Sequence, residues 1–280
     1  FEKIGGEAVY FGKPYPEVYN QSIDNNNKKI LSIGDNLNTD IKGANLIKGI
    51  SLEGLRVVGN PNEYALRYYQ EGIDEIIFID AVASLYRRNN LKEIVRRTVN
   101  EVFVPITVGG GIRSVDDARE ILSNGADKVA VNTAAIWRPE LITEISHRFG
   151  SQCLVLSVHA KRDNKGSWEA LVDYGREHTG RDVVDWIKEG VSLGAGEVLL
   201  TSVDSDGTQD GFDIDLLKRV SSETRVPLIV SGGCGNPEHL IEAIDNGSVD
   251  ALAIASCLHF GKSSLQEIQA TLLKSNIQIA

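Results

Sequence analysis

The feature that most limits how this chain can fold is a glycine turn that follows a short apolar segment and occurs twice. Val104-Pro-Ile-Thr-Val-Gly-Gly-Gly111 and Val226-Pro-Leu-Ile-Val-Ser-Gly-Gly233 lie 122 residues apart (226 minus 104). Residues 72–80 and 194–202 match at the same offset, as do residues 125–133 and 247–255. This repeat is too long for a solenoid unit. It suits one half of an α/β fold, the (β/α)8 barrel, whose active site lies at the C-terminal ends of eight parallel strands.

Length and charge narrow the class of protein further. The 280 residues suffice for one such barrel and a short appendage. The net charge of −10 argues against nucleic acid as a partner, because a nucleic-acid surface is normally basic. No apolar run approaches the length of a membrane span, and no signal peptide is recognisable. Three cysteines without metal-ligand spacing predict buried, reduced thiols in a cytoplasmic protein.

Residues 1–45 differ from the rest of the sequence. Gly12-Lys13-Pro14 and Gly34-Asp35-Asn-Leu-Asn-Thr-Asp40 are similar to the lysine and acidic motifs of haloacid dehalogenase-like phosphatases. The nucleophile motif of that superfamily, which should precede both, is missing. We therefore expect a phosphatase-like extension over residues 1–27 and a barrel over residues 28–280, with residues 29–33 as its first strand.

From about residue 40 onward the sequence resembles the cyclase subunit of imidazole glycerol phosphate synthase. The motifs that carry this resemblance are Asp40-Ile-Lys-Gly-Ala-Asn-Leu-Ile-Lys48, Phe78-Ile-Asp80, Gly109-Gly110-Gly111, Leu200-Thr201-Ser202-Val-Asp204-Ser-Asp206-Gly207-Thr208 and Ala255-Ser256-Cys-Leu-His259-Phe260. The resemblance implies a TIM-barrel lyase of histidine biosynthesis. That enzyme uses ammonia to convert a bisphosphorylated formimino-carboxamide ribonucleotide into imidazole glycerol phosphate and an aminoimidazole carboxamide ribonucleotide, without metal or cofactor.

The same resemblance implies the site residues. Two facing acid–base groups would be Asp40 and His159, although the family carries aspartate where this chain has His159; Asp35 is the alternative to Asp40. Thr201 and Ser231 would contact substrate. The two phosphate groups would be bound by Lys48, Gly111, Asn132, Thr133, Asp206, Gly207, Gly233, Ala255 and Ser256. Glycine amides and helix N-termini are suited to anions because a backbone without Cβ can approach them closely.

A glutaminase partner is also implied, with an ammonia channel gated by Glu75, Lys128 and Glu197 at the other end of the barrel. The arginine that the family has on its first strand is absent, because Gly34 falls at that position.

Two other functions stay open. The chain could be a paralogue that delivers ammonia for amidation of a surface sugar, or a phosphate-binding barrel inactivated by fusion.

Overall fold

Eight parallel strands form a closed barrel in the part of the chain that the structure describes. The structure is a computed structural model, and it describes residues 29–35, 45–48, 55–80, 91–277 and 279, with the backbone alone for 29–35, 45–48, 55–59 and 91. The barrel strands are β1 (Lys29–Asp35), β4 (Glu75–Ile79), β5 (Ile106–Gly109), β6 (Lys128–Val131), β7 (Leu154–Arg162), β10 (Glu197–Ser202), β11 (Leu228–Ser231) and β12 (Ala251–Ile254).

The strand pairings close the ring and confirm the predicted fold class. In the order β1, β4, β5, β6, β7, β10, β11 and β12, each strand pairs in parallel with the next, and β12 returns to β1. β1 joins both halves, because Leu31 lies opposite Ala253 on one side and Glu75 on the other. Residues 29–33 therefore do belong to the first strand, as the sequence predicts. The boundary proposed at residue 28 and the extension over residues 1–27 lie outside the described residues.

Helices between successive strands cover the outside of the barrel. They are α1 (Pro61–Gln70), α2 (Leu91–Thr98), α3 (Val115–Ser123), α4 (Thr133–Trp137), α5 (Glu140–Phe149), α6 (Val183–Ser192), α7 (Ile214–Ser221), α8 (Pro237–Asn246), α9 (Ser256–His259) and α10 (Leu265–Lys274). Local sequence explains where several begin: the side chains of Asn60, Ser114 and Asn236 each accept a hydrogen bond from a first-turn amide.

The two half-barrels match closely in the structure, with one shift of register. β5 and β11 keep the offset of 122, and so do the caps Ser114 and Asn236. The offset becomes 123 before β6 and β12. There Asp127 accepts a hydrogen bond from the Ile106 amide, and Asp250 accepts the equivalent bond from Leu228. The ungapped match of 125–133 with 247–255 is therefore wrong by one residue, and Asn132 corresponds to Ala255.

Two antiparallel hairpins leave the barrel. One pairs β2 (Asn45–Lys48) with β3 (Leu55–Gly59). The other, β8 (Trp168–Val172) and β9 (Glu177–Asp182), extends β7 beyond the end of the barrel. Residues 173–176 form the turn between β8 and β9, and β9 begins at Glu177.

Candidate active site

A cavity of about 580 Å³ opens at the C-terminal ends of β5, β6 and β7. The glycine turn after β5, the start of α4 and the interior of the barrel all contribute to its wall. Its lining includes Gly110, Gly111, Asn132, Thr133, Ser157, His159, Asp173 and Tyr174. Four residues predicted for the site, Gly111, Asn132, Thr133 and His159, thus line one space. We call the turn 109–111 with the start of α4 the first cradle.

Only glycine fits the centre of the first cradle. Gly110 has φ +95°, and a Cβ there would lie 2.3 Å from the carbonyl oxygen of Asp80. Gly111 also has a positive φ, of 73°. The turn therefore packs directly on the end of β4 and presents backbone, with no side chain, to the cavity. Such a surface can bring amide groups close to an anion.

His159 lies at the inner wall of the cavity, near the end of β7. The residue is 8% exposed, and its Nδ1 lies 3.3 Å from Nδ2 of Asn132. Since Asn132 also starts α4, one residue connects the first cradle to the imidazole. The Thr133 hydroxyl accepts a hydrogen bond from the Asp173 amide at 3.1 Å. These contacts allow a proton-transferring group to lie beside an anion held by the cradle.

The tip of the β8–β9 hairpin covers His159. Asp173 and Tyr174 have φ of +45° and +63°, which non-glycine residues rarely adopt. The Tyr174 hydroxyl donates to the carbonyl oxygen of Asp80 at the end of β4, and the ring centroids of Tyr174 and His159 are 5.9 Å apart. The sequence gives no signal for this contact across the barrel.

A second cradle follows β11 and β12, in the other half-barrel. Gly232 has φ +95°, the same value as Gly110, and Gly233 has φ +108°. A Cβ on Gly233 would lie 1.9 Å from the Gly211 carbonyl oxygen, so this turn also requires glycine. The predicted Ala255 and Ser256 begin α9 beside it. Asp206, next to the predicted Gly207, has its Cα 3.5 Å from the position of a Cβ on Gly232.

His159, Thr201 and Ser231 form one row across the barrel mouth. His159 lies opposite Thr201 in the β7–β10 pairing, and Thr201 lies opposite Ser231 in the β10–β11 pairing. All three are less than 9% exposed. The row faces the space between the two cradles.

The backbone register also locates the first-strand position of that row. Asp35 lies opposite Ile79 in the β1–β4 pairing, and Ile79 corresponds to Thr201 at the offset of 122. Asp35 therefore holds in the first half the place that His159 holds in the second. Asp40 lies outside the described residues, and Lys48 ends β2, of which the backbone alone is described.

At the opposite end of the barrel, Lys128 joins two acidic residues in the interior. Its Nζ lies 3.1 Å from Glu75 Oε2 and 2.7 Å from Glu197 Oε1. Burial alone would lower the pKa of Lys128, but the two carboxylates outweigh it and raise the pKa well above its ordinary value. The predicted gate residues thus meet in a charged cluster. Above it lie apolar interior side chains, among them Ile77, Ala130, Val155 and Leu199.

Within the described ranges, no group of three His, Cys, Asp or Glu side chains is arranged to hold a metal ion. No helix in those ranges is long and apolar enough to cross a bilayer.

A closed barrel of two matching half-barrels, with a glycine cradle in each half and polar groups between them, defines a (β/α)8-barrel enzyme. Comparison with known proteins gives the particular family. The model of the family described as histidine biosynthesis protein matches residues 39–264.

Three relatives are named imidazole glycerol phosphate synthase subunit HisF. The protein from Legionella pneumophila is 64% identical over 199 residues, 71% of this chain and 94% of its own length. That from Solibacter usitatus is 47% identical over 240 residues, 86% of this chain and 94% of its length. The Streptococcus sanguinis protein is 43% identical over 240 residues and 95% of its length. This chain belongs to the HisF family of histidine biosynthesis proteins, which confirms the prediction of a cyclase-type lyase.

Proposed function

We propose that the chain converts a substrate with two phosphate groups, using ammonia, into an imidazole glycerol phosphate and an aminoimidazole carboxamide ribonucleotide. The observation that carries this proposal is the pair of cradles. The first follows β5 and β6 and the second follows β11 and β12, so four strand positions separate them around the ring of eight. They therefore lie across the mouth from each other and suit the two ends of an extended, doubly phosphorylated molecule.

Acid–base groups between the cradles would act on the reacting centre. His159 and the first-strand carboxylate would transfer protons on opposite sides of the substrate while ammonia attacks and the imidazole ring closes. The strand register favours Asp35 for the first-strand group, whereas the ungapped family motif favours Asp40. Thr201 and Ser231 would hydrogen-bond the substrate between these two groups.

Ammonia would enter at the Lys128 cluster from a glutaminase docked at the N-terminal ends of the strands. The relatives are named as subunits of a synthase, which supports a partner. The same end of the barrel carries an exposed aromatic side chain: Phe103 precedes β5, is 72% exposed and packs edge-on against Tyr69. Exposed aromatic residues of this kind are enriched at protein interfaces. A cytoplasmic location suits such a complex.

The histidine at position 159, where the family carries aspartate, favours one alternative function. If histidine at this position cannot support ring closure, the chain would instead pass ammonia to an enzyme that amidates a surface sugar. The cradles would then bind phosphate without turnover. An inactive barrel joined to a phosphatase-like extension over residues 1–27 is the remaining possibility, and the family match beginning at residue 39 is compatible with such an extension.

Ammonia-dependent turnover of the bisphosphorylated precursor by the purified full chain tests the proposal. We expect turnover in the wild type, a loss of at least 100-fold in Asp35→Asn, and a change below threefold in Asp40→Asn. The reverse pattern would assign the role to Asp40. Phosphate binding without turnover in the wild type would contradict the cyclase proposal. It would favour either ammonia delivery or an inactive barrel, and only an ammonia-delivering chain should stimulate a glutaminase.

A further inference from the structure

A group of reciprocal hydrogen bonds joins the first glycine turn to α3. The Asp117 amide donates to the cap Ser114, and the Asp117 carboxylate accepts from the Arg113 amide at 3.0 Å and from the Ser114 hydroxyl at 2.9 Å. Such an arrangement satisfies backbone donors that the start of a helix leaves without partners. Arg113 follows Gly111 by two residues, so Asp117 fixes the backbone just beyond the first turn.

The second half of the barrel has the same arrangement, with histidine in place of aspartate. His239 lies 122 residues after Asp117 (239 minus 117), its amide donates to the cap Asn236, and its Nδ1 accepts from the Gly235 amide at 3.2 Å. The side-chain nitrogen of Asn236 lies 3.3 Å from Nε2. Both ring nitrogens therefore lie next to N–H groups. An imidazolium carries a proton on each nitrogen and could accept from neither.

His239 also contacts the loop that completes the second cradle. Gly211 packs on the ring, since a Cβ there would lie 3.8 Å from His239 Cδ2. The Gly211 amide donates to the Gly233 carbonyl oxygen at 2.9 Å. Two residues farther along the turn, a Cβ on Gly235 would lie 2.2 Å from the Gln209 carbonyl oxygen. The second turn is thus fixed by this loop and by one imidazole.

We propose that His239 is a positioning residue that keeps the second cradle in shape for an anion, and that it does so only while its imidazole is neutral. A proton on Nδ1 removes the acceptor of the Gly235 amide and places two N–H groups against each other. A carboxylate, as in Asp117, accepts throughout the range around 6.5 in which imidazoles ordinarily change charge. The second cradle should therefore lose affinity for anions in mild acid, while the first turn keeps its hydrogen bonds.

The charged surroundings of His239 contribute to its response to pH. The other titratable side chains on α8 and on residues 206–212 are all carboxylates: Glu238, Glu242, Asp245, Asp206 and Asp210. Glu242 Oε2 lies 4.0 Å from the position of a Cβ on Gly211, which packs on the ring. The turn adds the Cys234 thiol, which donates to the Asn236 carbonyl oxygen at 3.7 Å. Carboxylates favour the protonated ring and the two N–H groups favour the neutral one.

Equilibrium dialysis of the full chain with radiolabelled sulfate measures the effect on the cradle. Sulfate serves as the probe because its charge is constant where that of inorganic phosphate changes. At a concentration that fills both cradles near neutrality, we expect two sulfates per wild-type chain at about pH 7.5 and one at about pH 5.5. His239→Asp, which copies the first half, should bind two at both pH values. Glu242→Gln, the control, should behave like the wild type.

Three outcomes of the dialysis would overturn the proposal. The first is two sulfates on the wild type at both pH values. The second is an equal loss of sulfate from the wild type and from His239→Asp in acid, which would place the titrating group elsewhere. The third is a Glu242→Gln chain that binds two sulfates at both pH values, which would assign the titration to Glu242.

Amide hydrogen exchange of Gly235, followed by NMR without ligand, measures the hydrogen bond itself. Anion binding rests on the proposed function, whereas this readout does not. Relative to an unstructured peptide at the same pH, we expect protection at least about tenfold higher at about pH 7.5 than at about pH 5.5, and no difference in His239→Asp. Equal protection in the wild type would overturn the proposal. A pH-dependent Gly235 amide in a chain that binds no sulfate would contradict the proposed function alone.

Discussion

His159 is the residue at which this chain departs most clearly from the chemistry that its resemblance implies. An imidazole can accept and donate protons near neutrality, whereas a carboxylate is ionised well below it. The contact with Asn132 Nδ2 and the cover provided by Tyr174 are both compatible with a positioned acid–base group.

We predict that His159→Asp moves the acidic side of the pH–rate profile to lower pH. Imidazoles ordinarily titrate near 6.5 and carboxylates near 4, so the shift should be about two pH units. The measurement is kcat/KM for ammonia-dependent turnover between about pH 3 and pH 9, a range that spans both ordinary values. His147→Asp, on the exposed face of α5, serves as control and should leave the profile unchanged. An identical profile in His159→Asp would remove His159 from proton transfer.

Lys128 should contribute strongly to the stability of the barrel. Lys128→Met leaves the Glu75 and Glu197 carboxylates in the interior without the ammonium group, so we expect a loss of about 3–5 kcal/mol in the free energy of unfolding. Lys188→Met breaks the pair of Lys188 with Glu223 on the surface and should cost less than about 1 kcal/mol. Urea denaturation distinguishes the two. Equal losses would mean that the buried cluster contributes no more than a surface ion pair.

Tyr68 gives a prediction for alkaline pH. Burial raises its pKa above the ordinary value, and its hydroxyl lies 2.6 Å from His259 Nδ1. A tyrosine whose pKa is higher in the folded than in the unfolded protein stabilises the fold fully below the unfolded pKa, which is about 10. This stabilisation is lost as the pH rises further. Tyr68→Phe should be about 1–2 kcal/mol less stable at pH 8, where the hydrogen bond is lost. Above pH 10 the difference in the free energy of unfolding between wild type and Tyr68→Phe should narrow by about 1.4 kcal/mol per pH unit, because the wild type loses stability. Unfolding curves that stay parallel up to pH 11 would contradict this.

At the scale of elements, the two glycine turns are the parts of the fold that the cradles depend on. Gly110→Ala forces a Cβ against the Asp80 carbonyl at a positive φ, so we expect a loss of about 3–5 kcal/mol in stability. Gly261→Ala has a φ of +63° but no atom within 4 Å, and should cost only about 1–2 kcal/mol. Thermal unfolding of both variants checks the difference. Equal effects would show that the contact with β4 is unimportant.

Most elements could be predicted from the sequence because their signals are local. The strands over 128–131 and 197–202 coincide with short apolar runs, and α1 begins at an Asn-Pro pair, a typical helix start, with Asn60 as its cap. The β8–β9 hairpin escaped prediction because Asp173 and Tyr174 turn the chain with positive φ, a conformation that their residue types do not announce. The one-residue shift before β12 also left no signal, since both registers place apolar residues in the strand.

The candidate site could be predicted only in part, for a related reason. Gly111 and Asn132 belong to a repeated pattern, so their common location follows from barrel topology. The pairing of β1 with both β4 and β12 is a long-range contact, and no local feature of residues 29–35 specifies it. Whether Asp35 or Asp40 ends the first strand therefore depended on register.

At the scale of the whole molecule, β1 is the strand that turns an open sheet into a barrel. It pairs with β12 through Lys29–Ser32 and with β4 through Leu31–Asp35, so its removal exposes two strand edges at once. Exposed edges pair with other chains. We predict that a chain beginning at Lys28 folds as a monomeric barrel or as the same assembly as the full chain, whereas a chain beginning at Asn36 aggregates.

Size-exclusion chromatography and amide hydrogen exchange of the two truncated chains check this prediction. Strong protection of β4 and β12 should survive truncation at residue 28 and be lost after truncation at residue 36, because the amides of both strands lose their partner. Loss of protection already at residue 28 would mean that residues 1–27 are required for the barrel, which contradicts their proposed role as an extension of separate origin. Protection that survives both truncations would require another segment to pair with β4 and β12 in place of β1.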